Sequence, residues 1–424
     1  MLEQGLNKRV LSWKGIRSAR NYVEVDWFTV MSDRSIRGKV AAVGIGESTY
    51  YKHGQSPDAE FVLVLQAIMR AAKDAGINPK EIDGFASYSN DRSDPSRIAA
   101  ALGIPDLKFS NMQFGGGGGG VAAAVANGAA AVACGYADCV VVFRALAQGQ
   151  FRRFGQGAPD PTVSGDAAFL APYGVMSPAQ KYGMRATRFM HQHGVKNDVL
   201  RAIAMASYQH AQHNPRAVMH GRPLDAETYD NSRWIVEPIN RLYDCCQEND
   251  GAAAMIMVSA ERAKNLRQKP AYILGAEQGS DHRCGASVLN ATNFASSSFA
   301  TVAPRLYETA GVKPNDIDVL QSYENFTTGV MMAVVEHGFC EPEECNDFFT
   351  LKNLSAPSGK VPLNTSGGNL AECYMHGLGL QLEAVRQIRG QSCNQVADAK
   401  LAMNIAGPMV TPVSSLIMGS EETL

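Results

Sequence analysis

The sequence lacks an excess of charge of one sign, a long apolar run and a secretory signal. Its 424 residues carry a formal net charge of −2, so the chain lacks the basic surface that binds nucleic-acid phosphates. The most apolar stretch, residues 115–137, consists largely of glycine and alanine and includes Asn127, which makes it a poor membrane span. The first thirty residues are rich in charge and contain no apolar segment of the signal-peptide type.

The nine cysteines show no spacing that is typical of a metal site or a redox pair. Cys134 and Cys139 are five residues apart, as are Cys340 and Cys345, and neither pair forms a C-x-x-C motif. Free thiols in a reducing compartment are the simplest interpretation. The sequence therefore predicts a cytoplasmic protein without a metal site.

Apolar segments of strand length alternate with helical patterns, and an apolar content of 45% indicates a large buried core. The predicted strands lie at residues 39–46, 82–88, 107–112, 139–143, 251–258, 271–275 and 401–405. Helices are predicted at residues 59–76 and 95–102, and another follows the glycine run 115–120. Because that helix consists of valine, alanine and glycine on every side, we expect it to be buried between two sheets.

The composition changes between residues 147 and 236, where charged residues, aromatics, Met and His increase and the strand–helix alternation stops. We interpret this segment as an inserted, largely helical lid. The chain then divides into an extension, two halves and the insert. The predicted boundaries are 1–36 for the extension, 37–146 with 237–262 for the N-terminal half, 147–236 for the insert and 263–424 for the C-terminal half.

An internal repeat relates the two halves. Residues 71–90 and 306–325 are identical at eight of twenty positions without a gap, at a constant offset of 235, and Tyr88 corresponds to Tyr323. The repeat predicts a duplicated α/β domain with two sheets and a pseudo-twofold axis. Equivalent loops should meet near that axis in a cleft, where Tyr323 and Tyr374 approach each other from different strands.

The segment 361–379 is the predicted centre of the chemistry. It passes through a turn rich in Asn, Ser and Gly into a helical pattern, and the start of a helix offers unpaired N–H groups to negative charge. Cys373, Tyr374 and His376 lie at this point. The structural alternative is that the glycines serve a turn and Tyr374 packs beneath it.

Several segments resemble the thiolase superfamily, and the resemblance covers roughly residues 37–424. Asn364-Thr-Ser-Gly-Gly is similar to the thiolase Asn-Pro-Ser-Gly-Gly turn, and Tyr323-Glu-Asn-Phe stands where thiolases carry Asn-Glu-Ala-Phe. Residues 405–408 fall at the final strand and turn of the family. The resemblance implies a duplicated thiolase fold, a five-layer αβαβα sandwich, with an inserted helical lid.

The catalytic positions of thiolases are replaced. Phe114 stands at the position of the nucleophilic Cys, Tyr374-Met375 replaces the His-Pro after the glycine turn, and the second cysteine falls near Ile405. A covalent thioester route therefore has no nucleophile at the usual place. This pattern resembles the aldolases of bacterial steroid side-chain degradation, a thiolase-like branch of lipid-transfer proteins that uses two tyrosines. Carried over, these are Tyr323 and Tyr374.

The resemblance implies retro-aldol cleavage of a 17-hydroxy steroid acyl-CoA to a 17-ketosteroid and a short acyl-CoA, propionyl-CoA or acetyl-CoA. Coenzyme A is then part of the substrate, and no permanently bound cofactor is expected. The resemblance also implies a small OB-fold partner of the DUF35 type. It further implies a homodimer core that pairs through residues 107–112.

Tyrosine can carry both proton transfers of this reaction. We assign Tyr374 as the base on the alcohol and Tyr323 as the proton donor to the enolate, and the reverse assignment stays open. His376 is a candidate donor that lowers the pKa of Tyr374. Backbone N–H groups of residues 115–120 and Gly407 are candidate oxyanion donors.

Arg153 and Lys181 of the insert are candidate ligands of the CoA phosphates, although solvated surface charges are the structural alternative. Two other functions stay open. One is an acyltransferase with an unrecognised cysteine, for which Cys373 is the candidate. The other is a non-catalytic scaffold that binds lipid or acyl-CoA.

Overall fold

Strands and helices alternate along both halves of the chain in the computed structural model, which describes residues 35–114, 117–151, 163–284 and 291–424. The strands are β1 (Val40–Glu47), β2 (Tyr51–Lys52), β3 (Gly84–Tyr88), β4 (Phe109–Gln113), β5 (Cys139–Ala147), β6 (Trp234–Val236), β7 (Asn240–Arg241), β8 (Asn249–Ser259), β9 (Ala271–Gly279), β10 (Val319–Ser322), β11 (Leu401–Ala406) and β12 (Val413–Gly419). The α-helices are α1 (Glu60–Ala75), α2 (Pro95–Leu102), α3 (Val121–Ala133), α4 (Pro178–His193), α5 (Asp198–Gln212), α6 (Ala226–Asp230), α7 (Ala260–Ala263), α8 (Val302–Ala310), α9 (Thr327–Glu336), α10 (Cys345–Phe348), α11 (Leu351–Leu354), α12 (Gly368–Ala371) and α13 (Leu378–Arg389).

The repeated unit has the same structure in both halves. Helices α1 and α8 each end at a glycine in the left-handed conformation, with φ of 75° at Gly76 and 67° at Gly311, as a C-cap glycine allows. A 3₁₀ turn and then β3 or β10 follow. The Asp83 carboxylate accepts a hydrogen bond from Cys139 N at the start of β5, and Asp318 accepts one from Leu401 N at the start of β11. The predicted duplication is confirmed.

The strands of the two halves join into one sheet of ten strands. Its order is β10-β11-β12-β9-β1-β8-β5-β3-β4, and β2 pairs with β8. Antiparallel pairing of Ala41 with Tyr272 and of Ala42 with Ala271 links β1 to β9. The sequence predicted two separate sheets. The structure differs because β1 of the N-terminal half and β9 of the C-terminal half lie side by side, and their short antiparallel pairing joins the two sheets.

Helices α3 and α13 form the central layer. Helix α3 contacts strands of both halves, and so does α13, whose twelve residues are all buried. Helix α1 covers β1, β5 and β8 on the outside, and α8 covers β9 and β12. A helix that is apolar on every side, such as α3, predicts a buried position of this kind. The arrangement also agrees with the five layers that were expected.

The two long helices between the halves support the C-terminal half. Helices α4 and α5 both contact α9, and α5 also contacts α12. Ala211 of α5 lies under the turn of residues 364–368, since a Cβ on Gly367 would lie 2.8 Å from its Cβ. The side chain of Asn214 donates to the Ser366 carbonyl over 2.9 Å. The predicted boundaries of the halves and the insert stay a prediction.

Strand β12 was not predicted from the sequence. Its seven residues are buried, but Ser414 and Ser415 interrupt the apolar run, and the resemblance had placed the final strand at residues 405–408. Within the described ranges, no helix combines the length and the apolar character that crossing a bilayer requires.

Candidate active site

Two tyrosine hydroxyls meet where the halves join. The Oη atoms of Tyr323 and Tyr374 are 2.8 Å apart, and the side chains are 2% and 6% exposed. Their ring centroids are 6.2 Å apart. The predicted approach of the two phenols is therefore found. Tyr323 follows strand β10, as expected, whereas Tyr374 lies in the loop between α12 and α13 and not on a strand.

Glycine backbone packs closely against the Tyr323 ring at two points. A Cβ on Gly118 would lie 2.1 Å from ring atom Cε2, and a Cβ on Gly377 would lie 2.6 Å from Cδ2. These distances are far below a carbon–carbon contact. The Tyr323 N–H donates to the Ile405 carbonyl over 2.8 Å. The ring therefore has little room to move.

Asn364 joins the two segments that carry the phenols. Its Oδ1 accepts from Ser322 N and its Nδ2 donates to Ser322 O, both over 2.8 Å, so the side chain continues the pairing of β10. Its φ of 51° is left-handed, which Asn tolerates better than most residues. At the other end of the loop, Tyr374 N donates to Asn249 Oδ1 over 2.9 Å. Side-chain amides thus fix the loop on both sides.

Glu324 lies fully buried between these segments. Its carboxylate accepts from Asn364 Nδ2 over 2.7 Å and from Asn369 Nδ2 over 3.0 Å. A Cβ on Gly368 would lie 1.8 Å from its Oε1, so a glycine is required there. Burial raises the pKa of Glu324 to about 8, while these hydrogen bonds lower it.

His376 lies beside Tyr374, with ring centroids 5.2 Å apart. Its φ is 51°, and its carbonyl accepts a hydrogen bond from the hydroxyl of Tyr88 over 3.0 Å. Burial, and then the charge of Arg144, hold the pKa of the imidazole well below its usual value. His376 is therefore neutral at physiological pH and can still donate one N–H.

Both phenols are protonated in the free protein. Burial raises the pKa of Tyr323, and the hydrogen bond with Tyr374 raises it further. Burial and the Cys246 thiol also raise the pKa of Tyr374, but there the hydrogen bond with Tyr323 and the charge of Arg144 oppose the rise. The two hydroxyls therefore form a buried pair in which one phenol donates the hydrogen bond and the other accepts it.

Two residues near Tyr374 were not predicted as site residues from the sequence, because neither belongs to a motif. Cys246 is half-buried, and its thiol lies close enough to Tyr374 for each group to influence the pKa of the other; burial and the charge of Glu324 raise the pKa of the thiol. Tyr182 of α4 packs on Phe326 with ring centroids 5.8 Å apart. Its phenol is close enough to influence the pKa of Tyr374.

The positions considered for a cysteine nucleophile are unsuited to it. Phe114 is 87% exposed, and Cys373 is 3% exposed. Burial and the charges of Glu372, Asp250 and Glu47 raise the pKa of Cys373, so it stays a thiol. The charged groups that surround Cys373 are thus distinct from Tyr323 and Tyr374, the two phenols of the candidate site.

The structure describes some of the residues that were predicted to bind CoA or an oxyanion. Lys181 is half-buried in α4, next to Tyr182. Gly407 has a left-handed φ of 63°, and a Cβ on it would lie 2.1 Å from Gly119 N, so these two loops meet. Arg153, the glycines at 115 and 116 and the extension up to residue 34 lie outside the described residues. In the described part of the chain, no group of three or more His, Cys, Asp or Glu residues is arranged to hold a metal ion.

Comparisons with known proteins identify the family of this chain. The model of the thiolase C-terminal domain-like family matches residues 279–420. The chain is 38% identical over 392 residues to the steroid side-chain-cleaving aldolase of Thermomonospora curvata, covering 91% of this chain and 98% of that protein. It is 37% identical over 392 residues to the 17-hydroxy-3-oxo-4-pregnene-20-carboxyl-CoA lyase of Mycobacterium tuberculosis, covering 91% and 100%. The solved Ltp2-ChsH2(DUF35) aldolase matches with a TM-score of 0.85 and 37% identity, over 92% of this chain and 100% of that chain.

The layered fold and the C-terminal family match define a protein of the thiolase superfamily. Identity above 30% over nearly the whole length narrows the assignment. The chain belongs to the steroid side-chain-cleaving aldolases, a branch of carbon–carbon lyases within that superfamily. The fold class and the family predicted from the sequence are confirmed.

Proposed function

We propose that this chain catalyses retro-aldol cleavage of a 17-hydroxy steroid side chain linked to coenzyme A. The products are a 17-ketosteroid and a short acyl-CoA, which is propionyl-CoA for a substrate such as 17-hydroxy-3-oxo-4-pregnene-20-carboxyl-CoA. The observation that carries the proposal is the 2.8 Å contact between the hydroxyls of Tyr323 and Tyr374. Two near relatives named for this type of cleavage support the substrate class.

The reaction needs two proton transfers and no change of oxidation state overall. The C17 hydroxyl proton passes to Tyr374, and the O–H electron pair forms the ketone as the C17–C20 bond breaks. The electrons of that bond form the enolate of the thioester. Tyr323 then donates a proton to the α-carbon of the enolate, which gives the acyl-CoA. Because both phenols start protonated, the proton that Tyr374 passes to Tyr323 along their hydrogen bond as it accepts the alcohol proton replaces the one that Tyr323 gives to carbon, so both phenols end protonated.

The raised pKa values of both phenols favour a relay in which no free phenolate accumulates. Tyr374 can accept the alcohol proton while its own proton moves to Tyr323, and Tyr323 releases its proton to carbon. The hydrogen bond between the two hydroxyls provides the path for this proton. We propose Tyr374 as the base and Tyr323 as the acid.

His376 and the glycine loops are the proposed stabilisers of the enolate. The neutral imidazole beside Tyr374 can donate to developing oxygen charge, and the glycine turn meets Gly407 close to the Tyr323 ring. Such fixed donors stabilise charge that develops in a buried site. We propose Lys181 and Arg153 of the insert as ligands of the CoA phosphates.

We further propose a homodimer core and a DUF35-type partner subunit. Strand β4 ends the sheet, and alternate side chains along it face solvent, with Met112 48% exposed. An open sheet edge of this kind is a site for pairing with a second chain. The match to the Ltp2-ChsH2(DUF35) aldolase supports the partner.

We also propose a cytoplasmic location. The nine cysteines all lie within the described residues and are free thiols, which agrees with a reducing compartment.

The test is turnover of 17-hydroxy-3-oxo-4-pregnene-20-carboxyl-CoA by the chain co-purified with a co-encoded DUF35-type protein. Mass spectrometry should detect the 17-ketosteroid and propionyl-CoA in equal amounts. Because general acid–base catalysis contributes about 10²–10⁴-fold, Tyr323→Phe and Tyr374→Phe should each lower kcat by about 10³-fold. Failure of the wild-type complex to release the ketone would refute the proposed function.

Tyr272→Phe is the matched control for these variants. Tyr272 is fully buried, and its hydroxyl has no hydrogen-bond partner among the described residues, so removing it should leave kcat unchanged. If the two Phe variants turn over like this control, the phenols are not the catalytic groups. The non-catalytic scaffold would then be favoured.

A further inference from the structure

Tyr88, which corresponds to Tyr323 in the N-terminal half, also contacts the loop that carries Tyr374 and His376. Tyr88 ends strand β3 and corresponds to Tyr323 in the internal repeat. Its side chain is fully buried. Its hydroxyl donates to the carbonyl of His376 over 3.0 Å and is 3.3 Å from that of Met375. The duplicated tyrosines thus approach one loop from the two halves.

The loop needs an anchor at this point because its backbone turns sharply. His376 and Gly377 are consecutive residues with left-handed φ values of 51° and 88°. This conformation is uncommon for His and costs free energy that other contacts must offset. The Tyr88 hydroxyl also lies near the backbone of Leu378, at the start of α13; burial raises the pKa of the phenol, and this backbone lowers it. One hydroxyl therefore lies close to both sides of the turn.

Tyr88 is itself held rigidly. Arg144 Nη1 donates to the Tyr88 carbonyl over 2.9 Å and to the Asp91 carboxylate over 3.1 Å. Arg144 and Asp91 are both buried. The anchor is therefore fixed to the sheet of the N-terminal half, while the loop that it holds carries Tyr374 and His376 of the C-terminal half.

We propose that Tyr88 is a positioning residue whose hydroxyl holds the turn at residues 375–377, so that Tyr374 and His376 face the substrate. The proposal rests on the function proposed above. In the duplicated unit, the C-terminal tyrosine takes part in proton transfer and the N-terminal one orients its partners. Tyr88 does not touch the reacting atoms.

The test is Tyr88→Phe, which keeps the ring and removes the hydroxyl. The hydroxyl fixes the turn that carries Tyr374 and His376, so we expect kcat to fall about tenfold through misalignment of the loop. KM should stay within about twofold, because the acyl-CoA contacts are elsewhere. The pH profile of kcat should also change, since Tyr374 and His376 lose their fixed geometry.

Tyr307→Phe is the matched control. The Tyr307 hydroxyl donates to the His337 carbonyl over 2.8 Å, so this variant loses the same type of hydrogen bond on helix α8. Both variants should lower the melting temperature to a similar extent, and only Tyr88→Phe should lower kcat. Equal kcat values for the two variants at a temperature where both are folded would overturn the inference. Absence of aldolase activity in the wild-type complex would instead refute the proposed function.

Discussion

Gly118→Ala tests whether the packing around Tyr323 controls catalysis. A Cβ at this position would lie 2.1 Å from ring atom Cε2, 2.2 Å from Cζ and 2.6 Å from the hydroxyl oxygen. The backbone at Gly118 lies outside the left-handed region, so alanine meets no backbone strain there. The substitution therefore acts only through the contact with the ring.

The size of the effect follows from how far the ring must move. To reach an ordinary carbon–carbon distance of about 3.5 Å, the ring must move by more than about 1 Å. Gly377 also packs tightly against the ring, since a Cβ there would already lie 2.6 Å from Cδ2. The 2.8 Å hydrogen bond to Tyr374 cannot survive such a movement. We expect kcat to fall about 100-fold, as misplacement of about 1 Å does elsewhere, with about 1–3 kcal/mol lost in stability.

The assay is steady-state release of the 17-ketosteroid together with a denaturant melt. Gly128→Ala is the control, because its Cβ would lie 2.7 Å from the flexible end of Met257 and should cost stability without affecting kcat. If Gly118→Ala keeps kcat within about threefold of the control, a displacement of the Tyr323 ring by about 1 Å does not affect the rate of cleavage. The idea that the two hydroxyls must keep their contact would then be rejected.

Two further predictions concern the groups around the phenols. Burial raises the pKa of Glu324 from 4.5 to about 8, so folding binds a proton in this window and the free energy of unfolding falls as pH rises through it. Relative to Glu324→Gln, wild type should lose about 4 kcal/mol between pH 4.5 and 8. Urea denaturation at several pH values measures this, and a difference that does not vary with pH contradicts it. Cys246→Ser should keep kcat within about fivefold, because a thiol with a raised pKa is a poor nucleophile; a loss above about 100-fold in product release would instead support the acyltransferase alternative.

The sequence determined the local units of this protein and their duplication. The repeat, the glycines that end α1 and α8, and the aspartates at 83 and 318 predict the same unit twice, because capping and turn preferences act over a few residues. The glycine turn and the two tyrosines could be found in the same way. The resemblance to a family supplied their roles.

Only the tertiary structure decided which side chains meet. The contact of Tyr323 with Tyr374, the thiol of Cys246 beside them and the anchoring of the loop by Tyr88 all join distant parts of the chain. Periodicity and turn signals describe local conformation, whereas these contacts depend on how α13 and the sheet pack. For the same reason, the bridge between the two predicted sheets and the support of the Gly367 turn by α5 could not be derived from the sequence.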